Sequence, residues 1–282
     1  MNEEANPYAR WVGNTEIVED EITAAPARSV AALLDDAETT FEAGSPLPPV
    51  WHWFYFLAKV PQSKLGVDGH PLRGGFMPPI ELPRRMFAGA RMRFATPLVI
   101  GRPASRTGEI RKVSEKSGKS GSLAFVTVGY TIRQGDVVCV EEEQDIVYRE
   151  PGAPVPAPVQ TAFPPVAEGS WTRTVAPDPR LLFRFSAATF NAHRIHYDRR
   201  YAMDEEGYPG LVVHGPLTAI LLMELVRHHA GRAVAGFEFR GLAPLFDLAP
   251  FRVAATPEAS TVRLEAHGPD GRTAMTATAQ LA

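Results

Sequence analysis

Apolar and polar residues alternate along much of this chain and fall into helical spacing in only two places. In the first half, Phe87 to Phe94, Leu123 to Arg133 and Val137 to Tyr148 read as strands. Gln134-Gly135-Asp136 joins the last two as a hairpin turn. Val30, Leu33 and Leu34 give Ala27 to Asp36 a helical face. Lys112 to Ser122 is polar and contains glycine, so a solvated loop is expected there, and the Gly- and Pro-rich span from Pro61 to Pro83 excludes a long helix. In the second half, Leu217 to Ala230 is apolar on every side. Pro216 suits its first turn and Gly231 the residue just past its end, which predicts a helix buried all round. Val234 to Leu242, Phe251 to Ala255, Thr261 to Ala266 and Thr273 to Leu281 follow as strands, the last two flanking the turn Pro269-Asp270-Gly271. One engulfed helix followed by antiparallel strands predicts an α+β fold, a sheet wrapped around a helix.

Six prolines and no charge between Pro151 and Val166 mark a stiff, extended segment. It divides the chain into residues 1–150, a linker at 151–166, and residues 167–282. The halves share one short echo, Arg93 with Pro97-Leu98 and Arg240 with Pro244-Leu245, each after a strand-like run.

Composition narrows the functions. With 45% hydrophobic and 22% charged residues the chain reads as globular. A net charge of −3 argues against nucleic acid as a partner. A single cysteine, Cys139, excludes an intrachain disulfide framework and a Cys-rich zinc site. Met1 to Arg10 has neither an apolar run nor a basic transit pattern, and Leu217 to Val226 is too short to span a bilayer and contains Glu224. A cytoplasmic protein without a membrane partner is expected.

Candidate chemistry gathers in the second half. Phe185 to Asp198 (FSAATFNAHRIHYD) concentrates Ser186, Asn191, His193, His196 and Asp198, and His214-Gly215 opens the buried helix. Free backbone N–H groups at a helix start can hold an anionic oxygen, and a nearby histidine can move a proton near neutrality. Together they suit addition or removal of water beside a thioester. Blander roles stay open: packing or capping for His214, a structural hydrogen-bond pair for His193 and Asp198, a core position for His52, a solvated one for Arg84-Arg85, and a metal site on His193, His196 and His214.

FSAATFNAHRIHYD followed by GLVVHGPL resembles the MaoC-like hydratase and dehydratase superfamily of double-hotdog proteins, including the hydroxyacyl-thioester dehydratases of type 2. LPPVWHWFYF, the run from Pro61 to Phe94 and EEEQDIVYRE extend the resemblance over most of the chain, from Trp11 onward. It implies a double hotdog with a degenerate first half that shapes the acyl pocket and a catalytic second half, in a homodimer. It also implies reversible hydration of an enoyl-CoA, with mesaconyl-C4-CoA giving citramalyl-CoA as the specific expectation. The alternatives are itaconyl-CoA hydration, dehydration of another CoA- or carrier-bound 3-hydroxyacyl chain, a thioesterase, and an acyl-CoA binding protein without catalysis. No cofactor or metal is implied. The superfamily pattern Asp-x-Asn-Pro-x-His-x-Asp places His196 and Asp198 on its His and last Asp, but Asn191 where it has its first Asp. That shifts the acid–base work to His196, with Asn191 orienting water or carbonyl and the Gly215 N–H serving as oxyanion donor. His193, His214 and Arg194 are the expected substrate contacts, with Arg84, Arg85 and Arg91 as further candidates for a substrate carboxylate.

Overall fold

A computed structural model describes residues 7–118 and 121–282; the opening residues up to Asn6 and Lys119-Ser120, within the expected loop Lys112 to Ser122, lie outside the described residues. In chain order the elements are β1 (Thr15–Glu21), α1 (Ala24–Leu34), β2 (Arg84–Phe94), β3 (Pro103–Gly118), β4 (Gly121–Gln134) and β5 (Val137–Arg149). The second half contributes β6 (Trp171–Val175), α2 (Pro179–Ala188), α3 (Gly215–His229), β7 (Val234–Gly241), β8 (Phe251–Pro257), β9 (Thr261–His267) and β10 (Thr273–Leu281). The strands form one antiparallel sheet in the order β1-β3-β4-β5-β2-β7-β10-β9-β8-β6. Read outward from its centre, each half repeats one order, so β2 corresponds to β7, β5 to β10, and β1 to β6.

The halves join where β2 pairs with β7, with Gly89 opposite Arg240 and Arg93 opposite Gly236. A Cβ at Gly89 would stand 2.4 Å from the Phe239 carbonyl oxygen, so this approach requires glycine, beside a register shift between Phe87 and Gly89. The echo lies at equivalent places. Leu47 N–H donates to Leu98 O at 2.7 Å, and Val213 N–H to Leu245 O at 2.8 Å. Isolated bridges Pro46–Val99 and Val212–Phe246 repeat the match.

The helix α3 is buried from Leu217 through Val226 and packs on β6, β8, β9, β10 and β2. A fully buried aliphatic side chain contributes about 1.5–3 kcal/mol, so this rod anchors the second half. Its last turn carries Arg227, His228 and His229, which suit the negative end of the helix dipole. His228 lies 3.4 Å from Glu224, and His229 stacks on Trp171. Glu224, buried on α3, accepts from Trp51 Nε1 at 3.0 Å and from Arg227 Nε at 2.8 Å, and Arg227 also reaches Asp36 at 2.6 Å. This buried polar cluster ties the halves together.

In the first half, the place corresponding to α3 holds Pro48-Pro49, Val50 in the left-handed region at φ 63°, and a single 3-10 turn from Trp51 to Phe54. Trp51 is fully buried there. The span from Pro61 to Pro83 carries no helix beyond the short 3-10 turn Gln62–Lys64, as expected, and its Ile80 joins Ile110, Val126, Val128 and Tyr148 in a second core.

One expectation is corrected. Lys112 to Gly118 is not a loop but the end of β3, paired with β4 from Thr127 to Gly121. Its charged residues read as loop because Arg111, Lys112, Glu115 and Lys116 are exposed. Strands β1 and β6 and helix α2 complete the fold, although Asp178 and Pro179 mark the start of α2: Asp178 caps it, accepting from Arg180 N and Leu181 N. Finally, the proline-rich segment, which has neither helix nor strand, is tied along the second half. Val155 N–H donates to Gly207 O at 2.8 Å, Thr161 N–H donates to Pro269 O at 2.7 Å, and Arg252 bonds Pro164 O while lying over Phe163.

Candidate active site

Helix α2 ends at Ala188, and the chain turns back through Phe190 at φ 49°. Asn191 N–H donates to Ser186 O at 2.8 Å, and Asn191 Oδ1 accepts from His193 N–H at 3.0 Å. A 3-10 turn, Arg194–His196, then places His196 against the strand-like segment leading to α3. Val212 N–H donates to Ile195 O, and His196 Nδ1 lies 2.8 Å from Val212 O. A carbonyl only accepts, so Nδ1 carries the hydrogen and Nε2 the lone pair.

His196 stacks on His214 with ring centroids 3.6 Å apart and planes at 19°. His214 precedes α3, and its Nε2 bonds Ser186 Oγ at 2.9 Å. Its side chain therefore does not cap the helix, and the α3 start stays beside the histidine pair. Gly215, His196, His193 and Asn191 line one cavity of about 1410 Å³. Burial pushes the His196 imidazolium down to about 4, although the Val212 carbonyl pulls the other way. Burial, with His70 and His196 nearby, pushes His193 down to about 2 and His214 also falls well below its ordinary value. At neutral pH these rings are uncharged and offer both hydrogen-bond donors and acceptors.

The opposite wall belongs to the first half. His52, Trp53, Tyr130, Glu142, Gln144, Arg84, Arg85, Arg106 and Arg149 line the same cavity. Burial alone would raise the Glu142 carboxyl, but His52, Gln144 and Trp53, all within 2.9 Å, hold it below its ordinary value. Arg84 is buried, not solvated; it pairs with Glu206 at 3.1 Å and its Nη1 has no partner. The Nε atoms of Arg106 and Arg149 are likewise buried without partners. Unpartnered guanidinium nitrogens on a cavity wall suit an anionic ligand group.

Two expected contacts fall outside the cavity. Arg91 lies on an exposed face with Glu143 and Asp145. Arg194 pairs with Asp198 at 2.7 Å and lies over Tyr201. That same pairing occupies Asp198, so it is not the partner of His193. One cavity residue, His70, and its partner Asp68 were invisible to sequence spacing. Asp68 and His70 lie more than 120 positions before His193, yet the rings of His70 and His193 are 4.0 Å apart. Only the turn-forming Asp68-Gly69-His70 hints at them. Among the described residues, ligand atoms of Asp68, His70 and His193 lie within 4.8 Å of one another, as do those of Asp36, Glu224 and His228. The second group already holds the Arg227 guanidinium. The alternative metal trio of His193, His196 and His214 is not among these clusters.

Two mirrored five-strand halves in one sheet, one wrapped around a buried helix, make a double hotdog. The fold is shared with a protein of Mycobacterium tuberculosis described as a double hotdog (TM-score 0.60, 13% identity, 95% of this chain and 96% of that one). A MaoC-like dehydratase from Phytophthora capsici also shares it (TM-score 0.65, 12% identity, 96% and 95%). Residues 50–247 match the family described as hydroxyacyl-thioester dehydratase type 2, and the chain belongs to that family. The chain is 66% identical over 274 residues to mesaconyl-C(4)-CoA hydratase of Chloroflexus aurantiacus, covering 97% of this chain and 98% of that one. It is 29% identical over 255 residues to the mitochondrial hydroxyacyl-thioester dehydratase type 2 of Schizosaccharomyces pombe, covering 79% and 81%. These relatives place it among the hydro-lyases acting on acyl thioesters. Among the described residues, no helix is long and apolar enough to cross a membrane.

Proposed function

We propose that this chain catalyses the reversible hydration of mesaconyl-C4-CoA to citramalyl-CoA. The observation that carries the site is the stack of His196 on His214 directly before the start of α3, in one cavity with Gly215. His196 Nε2 takes the proton of a water whose oxygen bonds to the β-carbon. The Gly215 N–H and the positive end of α3 stabilise the thioester oxygen as negative charge develops. Asn191 orients the water or the carbonyl, and His193 and His214 close the site around the acyl group. The high identity to the Chloroflexus hydratase supports the substrate. The unpartnered Nη1 of Arg84, with Arg85 beside it on the wall, supports recognition of the free carboxylate that this substrate carries and crotonyl-CoA lacks. We assign the working form to a cytoplasmic homodimer, as the family resemblance implies; light scattering of the purified protein checks the assembly.

Mass-spectrometric product identification tests this reading, with mesaconyl-C4-CoA, itaconyl-CoA and crotonyl-CoA supplied separately. The expected result is gain of one water with the thioester intact, fastest on mesaconyl-C4-CoA. Free CoA as the first product would assign a thioesterase instead, and binding without any product would assign a non-catalytic acyl-CoA protein.

A further inference from the structure

In the hydration proposed above, His196 alone takes the proton of the water, and Asn191 stands where the superfamily pattern has a carboxylate; an amide takes no proton. A histidine held by a carboxylate reaches the cavity from the first half instead. Residues 66–70 form a tight turn, with Gly66 N–H donating to His70 O at 2.7 Å and Gly69 N–H to Gly66 O at 3.0 Å. This turn is docked on the loop that carries Asn191 and His193. Asp68 O accepts from Arg194 N–H at 2.9 Å, and Val67 O from the Arg194 guanidinium at 3.1 Å. Gly69, at φ 91°, approaches so closely that a Cβ there would lie 1.7 Å from Ala192 O. Asp68 Oδ2 and His70 Nδ1 are 3.0 Å apart. Burial would raise the Asp68 carboxyl, but its bond to His70 brings it to about 2. An ionised carboxylate only accepts, so His70 Nδ1 donates and Nε2 carries the lone pair, as in His196. His70 lines the cavity, its ring is 4.0 Å from His193, and His193 is 5.3 Å from His196.

Resting on the hydratase reading above, we infer that Asp68 and His70 supply what position 191 does not: His70 is a second catalytic residue that holds the substrate water, and Asp68 is the positioning residue that fixes its ring. One water hydrogen points to His196 Nε2 and the other to His70 Nε2. As the water oxygen bonds to the β-carbon, its O–H bond on the His196 side breaks and that proton moves to His196. The π pair of the double bond shifts to the α-carbon and the thioester oxygen. The imidazolium at 196 then returns the proton to the α-carbon, where that pair forms the new C–H bond. His70 keeps its hydrogen bond to the oxygen that becomes the product hydroxyl. One water supplies every atom added, and no co-reactant is required.

The test compares His70→Gly, His70→Gln and Asp68→Asn with the parent on the panel substrate that the parent hydrates fastest. Circular dichroism and calorimetric binding of a saturated acyl-CoA check that each variant is folded and binds. The His70 variants are expected to lose on the order of 100-fold in kcat, with KM little changed. Added imidazole should restore part of the His70→Gly turnover, which a packing role would not allow. Asp68→Asn, nearly isosteric, should lower kcat by about tenfold with KM little changed. Parent-like kcat in a folded His70→Gln or Asp68→Asn variant overturns the inference, as does a His70→Gly loss that imidazole leaves untouched. It is also overturned if chelation abolishes parent turnover and a divalent metal restores it, because Asp68, His70 and His193 would then be metal ligands. If His70→Gly does not fold, His70→Gln and Asp68→Asn decide. A parent that hydrates none of the three thioesters sinks the functional reading itself, whereas an active parent with indifferent variants sinks this inference alone.

Discussion

The two halves of this chain repeat one sheet and differ at one turn. Leu47 and Leu98 bond in the first half as Val213 and Leu245 do in the second. Counting onward, Pro48-Pro49 stands where the second half has His214-Gly215. Proline at 49 has no N–H to offer an oxyanion, and Val50 at φ 63° turns the chain into a single 3-10 turn instead of a fifteen-residue helix. The second half has the helix start and its histidine; the first has no such helix, and its wall carries Arg84, Arg85 and His70. On the reading proposed above, the second half supplies the acid–base histidine and the oxyanion donor, while the first shapes the acyl pocket and adds His70.

The sharpest way to break this division is at His196. His196→Ala should lower kcat on the order of 1,000-fold without unfolding the protein, read as loss of enoyl absorbance decay. Next, Arg84→Met should raise KM for mesaconyl-C4-CoA about tenfold while leaving crotonyl-CoA little affected, because the carboxylate loses a charge-assisted partner. An equal effect on both substrates would remove Arg84 from acid recognition.

A pH series separates activity from stability. His196 is neutral and able to accept a proton until the pH falls through about 4, so this group permits turnover well below neutrality. Its folded value lies below the ordinary 6.5, so between these values the unfolded chain binds more protons. Stability therefore falls as the pH drops from 6.5 through about 4, and equilibrium urea unfolding should show it. The smallest effect is expected at the seam. Trp51→Phe leaves Glu224 Oε1 without its indole donor and should cost about 1–3 kcal/mol, seen as a lower Tm.

Much of this was legible in the sequence. Alternation found β2, β4, β5 and β7 to β10 because each has one face on a core. The all-apolar stretch after Pro216 announced α3, and the Arg93 and Arg240 echo marked matching positions beside the central seam. Strand β1 was hidden because it lies at the sheet edge, where Glu19 and Glu21 face solvent. The polar end of β3 was hidden for the same physical reason. His196, Asn191, His193, His214 and Gly215 share one cavity, as their local grouping suggested. Asp68 and His70 could not be found that way, since a docked glycine turn brings them across the halves. Arg91 and Arg194 drew attention as charges, but nearby carboxylates already hold them.

The proposed chemistry is tested most directly by giving the second half the proline that stands at the matching position of the first. Proline is tolerated at a first helical position, and a Cβ at Gly215 would meet only Phe87 O at 3.8 Å. Hydration rates of Gly215→Pro and Gly215→Ala should therefore part: Ala keeps the N–H and most of the turnover, whereas Pro removes it and lowers kcat about 100-fold or more. Equal rates in two folded variants would contradict the assignment of that N–H to the developing oxyanion.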